Sequence, residues 1–269
     1  MKAKKAVRSQ LKLIRELLRR KEARDTNGLF VAEGLKIVRD IAAKGHQVDA
    51  LVVSYEFAED DANKTLLEHF DKRNADILLT GVKELERTSV LKQPEGIMAL
   101  VKKSDVVKAV LSQGDTSLAV ICDSVQDPGN LGALIRTSVA FGSDLMILTG
   151  ETVDPYNPRV VRSSSGMMLD LPIACCSYQE LEGLKENGYR IYAAQADKEN
   201  AVIIDRIKDP RPLSIVAFGS EGRGLSRELS ERVDEFFYIP ISDKAESLNV
   251  SSAAAIALYH FSRRRCSDG

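Results

Sequence analysis

A chain of 269 residues, 44% hydrophobic and 29% charged, has the make-up of an ordinary globular protein with room for one large or two modest domains. A formal net charge of −1 excludes a generic polyanion binder, and no apolar run approaches the roughly 18 residues of a membrane span. The basic N-terminus lacks an apolar core and a small-residue cleavage site, so no signal peptide is expected.

The first 24 residues carry Lys2, Lys4, Lys5, Arg8, Lys12, Arg15, Arg19, Arg20, Lys21 and Arg24 against Glu16 and Glu22. Val7, Leu11, Ile14 and Leu18 recur at helical spacing among them and predict an amphipathic helix. Lys12, Arg15, Arg19, Arg20 and Arg24 are candidate contacts to phosphates, as is the later cluster Arg263-Arg264-Arg265. A solvated helix face and cations at a helix C-terminus account for the same residues.

"NGLFVAEG" then reads as a turn and short strand, and "LKIVRDIAAKG" as a helix ended by Gly45. "VDALVVS" is a strand, "DANKTLLEHFDKR" a helix, "ADILLT" a strand, "VKELERTS" a short helix and "GIMALVKK" a strand. This α/β unit is expected to span 1–105. A linker follows at 106–116, with Gly114-Asp115 as the break, and a second unit spans 117–269.

In that second unit "LAVICD", "DLMILTG", "RIYAAQA", "LSIVAFG" and "EFFYIPI" are continuously apolar, the mark of a parallel sheet covered on both faces. Helices are expected at 130–141, 158–167, 178–187, about 225–231 and 248–264. Cys122, Cys175, Cys176 and Cys266 form no CxxC pair. Cys122 and the Cys175-Cys176 pair sit in strand-like contexts, so buried thiols in a reducing cytoplasm are expected. His46, His69 and His260 are scattered, so no metal is expected.

Ligands of parallel α/β sheets bind beyond the carboxyl ends of the strands, and three loops there are rich in Gly, Ser, Asn and charge. In "DPGNLGALIRTSVAFG", Asn130 is a candidate helix N-cap. Gly129, Gly132 and Arg136 share one helix face, and the arginine stem leans back toward the strand end. An ion pair with a neighbouring acid accounts for Arg136 equally. "AFGSEGRGLS" brings Gly219, Gly222 and Gly224 around Glu221. Its GxxGxG spacing matches neither the dinucleotide fingerprint nor a P-loop. In "YIPISDKAESLNVSSAAAIALYHF", either Ser247 or Asn249 can cap a helix whose first turns are very small.

Together these stretches resemble the three motifs of the SpoU (TrmH) family of RNA ribose 2′-O-methyltransferases, in the SPOUT superfamily, over roughly 118–265. Asn130 and Arg136 stand at the characteristic positions of the first motif, Glu221 of the second, and Ser247 and Asn249 of the third. "GLFVAEGLKIVRDI" further resembles the family's accessory RNA-binding domain, a small ribosomal-protein-like α/β fold. The resemblance implies a C-terminal parallel sheet with a deep trefoil knot and an S-adenosylmethionine pocket of Phe218, Gly219, Ser220, Gly222, Ile239, Ile241 and Leu248. It also implies a cytoplasmic homodimer, with the small face of the last helix suited to close packing there.

The reaction implied is methyl transfer to a ribose 2′-hydroxyl of ribosomal RNA, of the large subunit first, or of transfer RNA. A guanidinium is a poor base, so Arg136 is expected to hold a phosphate and stabilise the developing alkoxide. Glu221 is expected to orient Arg136, while Asn130, Ser247 and Asn249 position ribose or loops. Two alternatives are a non-catalytic RNA-binding or ribosome-assembly factor of the same fold, and an enzyme that methylates a base nitrogen.

Overall fold

The computed structural model describes residues 3–103, 118–208 and 213–263. The expected linker 106–116, Arg264, Arg265 and Cys266 lie outside the described residues. Two compact units emerge: Met1–Ser104 with Tyr156–Leu169, and Asp105–Pro155 with Asp170–Gly269.

The first unit is a five-stranded mixed sheet of β1 (Ala3–Lys5), β2 (Leu29–Glu33), β3 (Val48–Ser54), β4 (Asp76–Thr80) and β5 (Ile97–Lys102), in the order β1-β4-β3-β5-β2. β3 runs parallel to β4 and antiparallel to β5, which in turn pairs antiparallel with β2. Helix α1 (Arg8–Arg19) buries Leu11, Ile14, Leu17 and Leu18 against Leu29, Val31, Val52, Leu78 and Met98. Val7 is the N-cap and is exposed, so it leaves the expected stripe and Leu17 takes its share of the core. Strand alternation turns Phe30 to the other face from Leu29 and Val31. Its ring meets Tyr156 at 4.9 Å.

Further helices of this unit are α2 (Lys21–Asn27), α3 (Leu35–Lys44), α4 (Tyr55–Glu59) and α5 (Asp61–Lys72). Gly45 ends α3 with φ +75°, the left-handed cap its sequence predicts. α6 (Val82–Thr88) precedes β5, and α8 (Pro158–Ser163) lies in the segment that packs with this unit.

The second unit holds, among the described residues, a seven-stranded parallel sheet: β6 (Leu118–Asp123), β7 (Leu145–Thr149), β8 (Ile173–Cys175), β9 (Arg190–Ala194), β10 (Val202–Ile203), β11 (Ser214–Phe218) and β12 (Glu235–Tyr238). Its order is β10-β12-β9-β11-β6-β7-β8. β6, β7 and β11 are buried along their whole length, which is why they read as unbroken apolar runs. Helices α7 (Pro128–Ala140), α9 (Glu180–Glu186), α10 (Arg227–Ser230) and α11 (Val250–Ser262) connect or flank the strands.

Cys122 is buried and desolvation pushes its thiol far up, while Cys176 is half-buried and raised to about 11, again chiefly by desolvation. Cys175 departs from the expectation: it closes the short strand β8 and is exposed. No helix among the described residues is long and apolar enough to cross a membrane. No group of three or more His, Cys, Asp or Glu among them can hold a metal ion.

Candidate active site

The parallel sheet brings the three loops to one edge. β6 delivers the first, its neighbour β11 the second, and β12, two strands further out, the third. Helix α7 starts earlier than its sequence suggests. Asp127 is the N-cap, accepting the Asn130 N–H at 2.9 Å, and Pro128 opens the helix. Asn130 is therefore not the cap but lies in the first turn, and its amide is released for another partner. Arg136 lies two turns on, exposed, and among the described residues it forms no ion pair.

The second loop folds back on itself. Ser220 and Gly224 exchange backbone hydrogen bonds of 2.9 Å each way, with Gly224 at φ +68°. A Cβ on Gly219 would lie 2.2 Å from the Gly224 carbonyl carbon and 2.4 Å from the Leu225 nitrogen, so glycine alone fits. At the loop's tip, Glu221 Oε1 accepts from Asn130 Nδ2 at 2.6 Å and from Asn249 Nδ2 at 2.7 Å. Asn249 Nδ2 also donates to Asn130 Oδ1 at 3.0 Å. One side chain from each loop thus closes a polar triangle. The expected pairing of Glu221 with Arg136 is replaced by these two amides.

Asn249 is also the N-cap of α11, its Oδ1 accepting the Ser251 N–H at 2.9 Å; Ser247 is not. Asn249→Ala should lower stability by about 1 to 2 kcal/mol in calorimetric unfolding, and Asn249→Ser, which restores the cap but not the amide, should recover most of it.

Beyond β9, β11 and β12 lies a cleft of about 520 Å³, within the usual range for small-molecule sites. Phe218, Gly219, Ser220, Gly222, Ile239, Ile241 and Leu248 all line it, as do Glu221 and Ser247. Sequence reasoning missed Ala194, Gln195 and Ala196 at the end of β9; Ser242, Asp243, Ala245 and Glu246, in the loop before the third motif, line the cleft as well. Asp243 pairs with Lys198 at 3.4 Å across the opening. Apolar walls, a glycine backbone and several carboxylates suit a ligand with a flat ring, a polar tail and positive charge. S-adenosylmethionine has all three.

The basic N-terminal residues divide by burial. Lys12, Arg19 and Arg20 are exposed, whereas Arg15 pairs with Glu84. Arg24 is corrected: it is only 3% exposed and donates to the Leu17 carbonyl at 2.6 Å, so it cannot reach a phosphate. Of the small residues that open α11, Ala254 is buried and the helix packs on α7, while Ser252 is exposed.

A family model described as the SpoU rRNA Methylase family matches residues 117–259, and one described as an MRM3-like substrate binding domain matches residues 8–99. The chain is 35% identical over 142 residues to the 23S rRNA (guanosine(2553)-2′-O)-methyltransferase RlmP of Bacillus subtilis, covering 52% of this chain and 56% of that protein. It is 38% identical over 166 residues to the uncharacterized tRNA/rRNA methyltransferase slr0955 of Synechocystis, covering 61% of this chain and 42% of that one. The match therefore spans only about half the length of these two relatives. Among solved structures, an AdoMet-bound rRNA methyltransferase from Sinorhizobium meliloti superposes with a TM-score of 0.86 at 26% identity over 98% of both chains.

Proposed function

Because the chain belongs to the SpoU rRNA Methylase family, we propose that it transfers a methyl group from S-adenosylmethionine to a ribose 2′-hydroxyl of structured RNA, large-subunit ribosomal RNA ahead of transfer RNA. The observation that carries this reading is the triangle of Asn130, Glu221 and Asn249 at the rim of the strand-end cleft. S-adenosylmethionine, when bound, supplies an electrophilic methyl on a sulfonium. Phe218, Ile239, Ile241 and Leu248 would wall its apolar part, and the Gly219–Gly224 backbone would approach it closely.

The chain's own residues do the rest. Glu221 ties the first and third loops together through their amides and so fixes the floor on which a ribose is presented. Arg136 supplies a permanent cation to a neighbouring phosphate and to the oxygen as its proton passes to a phosphate oxygen or to water. RNA follows as substrate because only RNA carries the 2′-hydroxyl. The family also implies a knotted C-terminal backbone and a cytoplasmic homodimer. Exposed Ile256 (42%) and Tyr259 (55%) on α11 support the dimer as an apolar stripe for a second copy.

The test is methyl transfer from labelled S-adenosylmethionine to total RNA prepared without this protein's modification. Label that protects one phosphodiester from alkaline cleavage is expected, and the protected position names the RNA. Label on a base would overturn the ribose reading. No label, with cofactor and RNA both bound, would point to a non-catalytic assembly factor.

The residues matched to a substrate-binding domain would hold the RNA by its phosphates. The double variant Arg19→Ala, Arg20→Ala should weaken RNA binding and reduce the slope of log affinity against log salt by about two. Filter binding between about 50 and about 200 mM salt reads it. An unchanged slope would remove α1 from the RNA surface.

A further inference from the structure

Asp123, the last residue of β6, is a fully buried carboxylate that the proposed chemistry leaves unused. Its Oδ1 accepts from Thr149 Oγ1 and from the Tyr178 hydroxyl, each at 2.8 Å. Its Oδ2 accepts the backbone N–H of Ser226 at 2.6 Å. A buried carboxylate is costly unless its lone pairs are satisfied in this way.

The surroundings are shaped to that purpose. Ser124, next in the chain, takes φ +55°. A Cβ on Gly150 would lie 2.4 Å from Ser124 Oγ, 2.7 Å from the Tyr178 oxygen and 3.1 Å from Asp123 Oδ1. Burial raises the Tyr178 hydroxyl above its ordinary value, so it remains a donor at neutral pH.

Two of the three bonds brace strand ends and connections of the sheet. The third reaches across to the glycine loop. β11 fixes that loop where it begins, after Phe218. Ser226 is where it ends, and its hydroxyl caps α10 by accepting the Leu229 N–H at 3.2 Å. Between the two anchors lie the Ser220–Gly224 turn and Glu221, with its bonds to Asn130 and Asn249.

We propose that Asp123 is a positioning residue: by holding the Ser226 N–H it fixes the far end of the Gly219–Leu225 loop, and with it Glu221 and the backbone that lines the cofactor cleft. This rests on the methyl-transfer reading of that cleft. A purely structural Asp123 would stabilise the sheet without setting cofactor affinity, and the two roles separate by experiment.

Calorimetric titration with S-adenosylmethionine should give a Kd raised at least about tenfold in Asp123→Ala. Thr149→Val, which removes an arm that does not touch the loop, should lower Tm yet leave the cofactor Kd within about twofold. Asp123→Asn should rescue binding, since its carbonyl oxygen accepts the Ser226 N–H while its amide donates to the two hydroxyls. Should Asp123→Ala fail to fold, an ester in place of the Ser226 amide removes only the loop's donor and should raise the Kd in the same direction. Wild-type affinity in Asp123→Ala or in the ester protein would overturn the proposal.

Amide exchange at Ser220 and Gly224 reads the anchor without cofactor, and it should quicken in Asp123→Ala or in the ester protein. Unchanged exchange would refute the anchor. Absence of cofactor binding by the wild type would instead sink the methyl-transfer reading.

Discussion

Replacing Arg136 by alanine is expected to cut single-turnover methyl transfer by about 100- to 1000-fold while leaving S-adenosylmethionine affinity within about twofold. The side chain is exposed on α7 and forms no ion pair among the described residues. Truncation therefore orphans no buried charge, and stability should change by no more than about 0.5 kcal/mol. The stem leans toward the helix N-terminus, back toward the strand-end loop. A guanidinium there offers a fixed cation with forked donors, suited to a phosphate and to an oxygen gaining negative charge. Arg136→Lys keeps the charge and loses the fork, so it should recover only part of the rate. Near-full turnover in Arg136→Lys would remove the forked clamp from the mechanism. A large rise in cofactor Kd in Arg136→Ala would mean that the residue serves the cleft instead.

How much of this was legible in the sequence follows from the range of the interactions. The long strands of the second sheet announced themselves because both faces are buried, which forces unbroken apolar runs. β1, β8 and β10 have three residues or fewer, too few for any period to register. Asn130 and Asp127 are both good caps, and Pro128 decides for Asp127, since proline favours the first helical position. Arg24 misled because the basic run looks like one solvated face. The chain leaves helical geometry at Arg20 (φ −125°, ψ 125°) and restarts as α2, which turns Arg24 inward. The partners of Glu221 lie 91 and 28 residues away, and no local pattern distinguishes an amide partner there from Arg136. Asp123 was invisible for the same reason: its loop partner is 103 residues distant.

Gly219→Ala is expected to lower folding stability by about 3 kcal/mol and to abolish measurable cofactor binding. The added methyl would sit 2.2 Å and 2.3 Å from the carbonyl carbon and oxygen of Gly224. Those are backbone atoms held by the two Ser220–Gly224 hydrogen bonds, so no side-chain rotation relieves the overlap. The loop must open instead, and opening it carries Glu221 away from Asn130 and Asn249. The neighbouring glycines separate this steric cause from a conformational one. Gly224 has φ +68° and open space around it, so Gly224→Ala should cost about 1 kcal/mol of backbone strain. Gly222 has open space and no positive φ, so Gly222→Ala should change stability by no more than about 0.5 kcal/mol. Thermal unfolding of the three variants should therefore rank Gly219 well below Gly224, and Gly224 below Gly222. If Gly224→Ala proved the most damaging, the loop would be governed by its left-handed turn rather than by backbone contact. The cleft would then owe its shape to a different residue from the one its geometry singles out.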